Sequence, residues 1–150
     1  MKTLFFDPCG GAAIDRILAA LLDAGAEPDP GALQPLRDRI PFTLESPELT
    51  TGGLRARAAR VVLTEEAPDT LEPAPAALAA FLRETLLPPA LLTDACAIFE
   101  RLDRALLTRY DTAPPPEVLF PEAPPAAALI FVVAALDALH SLEPDAVLFA

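Results

Sequence analysis

The chain has 150 residues, of which 53% are hydrophobic and 22% charged, enough for one domain with a real core and too apolar for wholesale disorder. Its 22 acids against 11 Lys and Arg give a net charge of −11, which excludes nucleic acid and anionic lipid as general partners, since both need clustered cations. Two cysteines and one histidine exclude a disulfide framework and a four-ligand zinc site, and fit a reducing cytoplasm.

In chain order, residues 3–6 predict a buried first strand that ends at Asp7-Pro8, with Cys9-Gly10-Gly11 as a tight connection. Ile14, Ile17, Leu18, Leu21 and Leu22 recur at the spacing of one helix face, and Gly25 stops that helix. Asp29-Pro30 reads as an N-cap with proline at the first helical position, opening a short helix to about Arg39. Residues 42–49 and 54–63 form a β-hairpin around Thr50-Thr51-Gly52-Gly53. Arg55 and Arg57 share one strand face and Arg60 takes the other, either a solvated sheet surface or a dock for an acidic partner.

Residues 64–75 form an acidic, proline-bearing loop. A helix follows over 76–86, and Pro88-Pro89 starts the next, which buries Leu91, Leu92, Ala95, Ile98, Phe99, Leu102 and Leu106. Pro114-Pro115-Pro116 makes a stiff connector and 117–120 a short strand. Pro124-Pro125 opens a helix to about His140, and 147–149 is a terminal strand. The apolar run 126–136 is stopped by Asp137, short of the roughly 20 residues a bilayer span needs, so it is a buried helix and no membrane insertion is expected. Only three apolar residues separate Thr3 from Asp7, too few for a signal-peptide core. The element order predicts an α/β domain with a mixed sheet, a β-hairpin and about five covering helices.

The residues resemble a known family. Asp7, Gly11 and Asp15, then Leu21-Leu22-Asp23-Ala24-Gly25, match the opening motif of the LarC family, the nickel-insertion proteins of the pyridinium pincer cofactor of lactate racemase. Thr51-Gly52-Gly53-Leu54, Ile98-Phe99-Glu100-Arg101-Leu102 and the stretch from Glu117 to Glu122 follow in family order. The resemblance is to the family's N-terminal part over 1–150, and implies that the C-terminal region is absent.

The departures point in one direction. Family motif positions hold Gly10, Ile14 and Arg16; both later histidine positions are Leu119 and Pro121; the acidic positions after them are Ala127 and Phe131; a histidine-rich stretch has become Glu65-Glu66-Ala67-Pro68-Asp69. Nickel(II) favours imidazole nitrogen. The resemblance therefore implies a retained fold whose own metal-insertion chemistry is lost, with no catalytic residue and no cofactor expected. Asp7, Gly11, Asp15 and Glu122 are the residual motif positions, and Asp7, Cys9, Asp15 and Glu122 the candidate ligands if a metal is held.

Each candidate has a plainer reading. Asp7 caps a turn, Asp15 and Glu122 are acids at helix starts, and Cys9-Gly10-Gly11 is a tight turn rather than an anion cradle or an activated thiol. Cys96 belongs to the core, and His140 favours a helix C-terminus. No Ser-His-Asp or Cys-His arrangement and no Walker-type loop can be built, so no nucleotide is assigned. Two functions remain: a degenerate domain acting as a binding or structural subunit with another protein chain, or an accessory that still assists nickel insertion with a second chain.

Overall fold

The structure is a computed structural model that describes residues 1–64, 71–110 and 124–150. In chain order come β1 (Thr3–Phe6), a single 3-10 turn (Pro8–Gly10), α1 (Ile14–Asp23) and α2 (Gln34–Arg37). Four strands follow, β2 (Phe42–Glu45), β3 (Glu48–Thr51), β4 (Leu54–Arg57) and β5 (Arg60–Leu63). Then come α3 (Pro75–Arg83), α4 (Pro89–Arg109), α5 (Pro125–Ser141) and β6 (Ala146–Phe149). The fold is α/β, as its order predicts, with five helices among the described residues. The strands form small pairs, one parallel and two antiparallel.

Prolines begin the three described helices that follow the hairpin: Pro75, Pro89 and Pro125 each stand in the first helical turn, where a missing N–H costs nothing. Helix α1 closes with a glycine device. Gly25 has φ +94, its N–H reaches the Leu22 carbonyl, and the Ala26 N–H reaches the Leu21 carbonyl at 3.0 Å. Ala26 and Leu21 are both buried, so the turn is pinned by packing as well. Helix α5 is apolar on every side, and Ala126 to Ala135 are all buried. It runs through the core, against α1 on one side and α4 on another.

The hairpin is longer and less even than its sequence pattern suggests. β2 pairs with β5 and β3 with β4, and the register continues without slip from Glu45↔Arg60 to Glu48↔Arg57. Between the pairs lies Ser46-Pro47. Proline has no N–H to give the ladder, and the Pro47 carbonyl alone bridges, accepting from the Ala58 N–H at 3.0 Å. The reversal needs only Gly52 and Gly53, with φ +58 and +80, while Thr50 and Thr51 stay in β3.

Four other expectations are corrected. β1 is not buried: Leu4 and Phe6 are half-covered and Phe5 is 63% exposed, because its only strand partner among the described residues is β6, which is itself largely exposed. The helix expected from Asp29 to Arg39 is the single turn α2. Asp29 Oδ1 instead accepts the Gly31 N–H at 2.8 Å and its carbonyl the Ala32 N–H, which makes a turn. Ile98 is exposed, since α4 buries only Leu91, Ala95, Cys96 and Phe99. The helix expected over 76–86 ends at Arg83. The connector at Pro114 to Pro116, the strand at 117–120 and the stretch from Glu65 to Asp69 lie outside the described residues.

The chain ends meet. The parallel β1–β6 pair is clamped by Lys2, whose carbonyl accepts the Asp145 N–H at 2.8 Å and whose Nζ donates to the Leu142 carbonyl at 2.7 Å. That ammonium sits at the C-terminus of α5, where a cation is favoured.

Candidate functional site

The turn from β1 into α1 carries most of the residual motif positions. Asp7 caps the 3-10 turn, and its Oδ1 accepts the Cys9 N–H at 3.0 Å. Hydrogen bonds from Cys9 hold the Asp7 carboxyl below its ordinary range, and the same carboxylate pushes the Cys9 thiol up. Both residues are exposed. Gly11 closes the turn with φ +88, its N–H donating to the Pro8 carbonyl at 2.7 Å. A Cβ there would sit 3.6 Å from Arg16 Nη1, so the backbone conformation and not space is what asks for glycine.

Two clefts flank this turn. One, of about 340 Å³, is lined by Phe6, Asp7, Pro8, Gly11, Arg16 and Phe149. The Phe6 and Phe149 rings stack 5.3 Å apart along it. The other, of about 420 Å³, lies where the start of α1, β5 and the start of α5 meet, and Asp15, Arg60, Val61, Ala127 and Phe131 line it. Asp7 and Asp15 thus serve different clefts. Glu122 lies outside the described residues, two positions before Pro124, which lines the larger cleft. Among the described residues no three of His, Cys, Asp and Glu are grouped to hold a metal ion.

The larger cleft is the informative one. Positions 127 and 131 stand one helical turn apart on the same face of α5, and both point at the cavity that holds Asp15. These are the two positions where the resemblance calls for acids. Here a methyl group and a phenyl ring occupy them, both buried. Among the described residues the resulting wall is hydrocarbon, with one carboxylate and one guanidinium lining the cleft beside it.

The remaining candidates fall where their plainer readings put them. Cys96 is buried, its Sγ 3.7 Å from the Ala79 carbonyl, and burial pushes its thiol up. His140, in the last turn of α5, meets Asp94 of α4. Arg55 and Arg57 reach Glu48 across the exposed β3–β4 pair at 3.8 and 4.0 Å. Sequence reasoning passed over Asp137, noting it only as the end of an apolar run. It is 9% exposed inside α5, and burial pushes its carboxyl above the usual range. Its signal was a lone charge in a stretch otherwise free of polarity.

The sequence model of the nickel insertion protein family matches residues 4–150, and the chain belongs to that family. It is 30% identical over 148 residues to a protein of Methanosarcina acetivorans named "Putative nickel insertion protein", and 28% identical over 148 residues to one of Methanosarcina mazei with the same name. Each match covers 98% of this chain and 36% of the relative, so the chain spans about a third of the length of these proteins. No solved structure matches. Among the described residues no helix is long and apolar enough to cross a membrane.

Proposed function

We propose that this chain is a nickel-insertion-family domain without a metal-insertion site of its own, a pseudoenzyme that serves as a binding or structural subunit alongside another protein chain. The observation that carries the reading is the cleft of Asp15, where Ala127 and Phe131 put hydrocarbon in place of ligands. Among the described residues the cleft offers one carboxylate, a poor nickel site, because nickel(II) is held by imidazole and similar donors in sets. Asp7 and Cys9 do not supplement it, since they line or flank the other cleft. The cation is cargo in this family, so a domain can lose its grip on nickel and still contribute surface and shape. The net charge of −11 argues for a protein partner and against nucleic acid. A cytoplasmic setting is part of the reading, with Cys9 and Cys96 both free thiols.

The test is elemental analysis of protein purified from nickel-supplemented medium, with equilibrium dialysis against nickel(II) as a second measurement. Nickel far below one ion per chain is expected in both. A near-stoichiometric ion that is lost in Asp15→Ala or Cys9→Ala would overturn the proposal and establish the chain as an accessory that still carries nickel.

A further inference from the structure

The larger cleft carries two opposite charges that do not meet. Asp15 comes from the first turn of α1 and Arg60 from the start of β5, and both line the same cavity of about 420 Å³. Asp15 is half-buried and Arg60 exposed. Among the described residues neither side chain forms an ion pair or a hydrogen bond. Arg60 stands opposite Glu45 in the β2–β5 register, a place where opposite charges ordinarily pair, yet no ion pair joins them.

The rest of the cleft is apolar. Ala127 and Phe131 on α5 are buried, and Ile14 and Val61 beside them are half-buried. A few polar groups set against a hydrocarbon wall are the usual make-up of a small-molecule site, and the volume falls at the small end of the usual range of about 300–1,000 Å³. Charge narrows the ligand further. A simple anion is repelled by a chain of net charge −11, and a simple cation meets the Arg60 guanidinium. A neutral zwitterion escapes both penalties, since its carboxylate suits Arg60 and its ammonium suits Asp15.

We propose that this cleft binds a free α-amino acid with an apolar side chain, the carboxylate on Arg60, the ammonium on Asp15 and the side chain against Phe131. The inference rests on the reading that the cleft has no nickel site, and names what the domain binds there. Ala127 and Phe131 then have a positive role, as the surface that selects an apolar side chain over a polar one.

Titration calorimetry of the full chain with leucine, N-acetyl-leucine, leucine methyl ester and glycine tests it. Leucine should bind saturably, and glycine, which lacks the apolar side chain, should not. Acetylation removes the ammonium and esterification the carboxylate, and each should weaken binding about tenfold or more. Two surface variants assign the partners. Asp15→Asn should lose the discrimination against N-acetyl-leucine and keep that against the ester, and Arg60→Gln should do the reverse. Equal affinity for leucine and its two derivatives overturns the proposal, as does the absence of saturable leucine binding in the unaltered chain. Nickel content is measured on the same preparation. A nickel-free protein that ignores leucine overturns this inference alone, and one holding nickel through Asp15 overturns the reading beneath it as well.

Discussion

Asp94 and His140 meet across α4 and α5, with Oδ2 2.9 Å from Nε2. The contact fastens the last turn of the buried helix to an outer one. Its partners are 51% and 38% exposed, so water and salt screen it. His140→Ala should lower stability by no more than about 1 kcal/mol, read from the urea midpoint at unchanged slope. A loss of several times that would show that the junction of the two helices opens as a unit.

Phe99 and Ile98 are neighbours in sequence with opposite fates. Phe99 of α4 is 1% exposed, and Ile98 is 40% exposed. Phe99→Ala should cost about 3–5 kcal/mol, the transfer of a large ring plus the void it leaves. Ile98→Ala should stay within about 0.5 kcal/mol. Denaturant unfolding of both variants checks the pair, and comparable losses would put Ile98 back in the core.

The hairpin tip offers a cleaner measurement. Gly53 has φ +80 and nothing within 4 Å of where a Cβ would stand. Gly53→Ala meets no clash, so its cost is backbone conformation alone, about 1–2 kcal/mol. Amides in β3 and β4 should exchange faster in this variant while those of α5 keep their protection. Uniform loss of protection would mean that the tip is coupled to the core.

How much of this was legible in the sequence depends on how far apart the interacting residues lie. The helix of Ile14, Ile17, Leu18, Leu21 and Leu22 is written in its own spacing, and so is its stop at Gly25. The two-residue tip at Gly52-Gly53 is equally local. The break at Ser46-Pro47 was readable in principle, since proline cannot serve a ladder, but the register that resumes past it depends on the partner strand and not on the local pattern. Ile98 follows the helical period of its neighbours, yet it is 40% exposed among the described residues, and periodicity cannot report a missing neighbour. Asp7 and Asp15 bracket one turn in sequence, and only the path of the chain through that turn sends them to separate clefts. The cleft itself joins α1, β5 and α5, three elements that no local pattern links. Family resemblance reached it where periodicity did not, through positions 127 and 131.

Asp7 and Cys9 give the last prediction, because one hydrogen-bonded pair moves two titrations in opposite directions. The carboxylate accepts from Cys9, so the folded chain binds the Asp7 proton more weakly than the unfolded chain does. Its contribution is therefore present above the ordinary Asp value of 3.8 and disappears as the pH falls through the lowered folded one. The same negative charge opposes formation of the Cys9 thiolate, which is the reactive species. At pH 8 the exposed Cys9 should alkylate with iodoacetamide more slowly than an unstructured cysteine peptide. Asp7→Asn should speed the reaction while the buried Cys96 stays slow in both proteins. Equal Cys9 rates with and without the carboxylate would show that Asp7 caps the turn without touching the thiol.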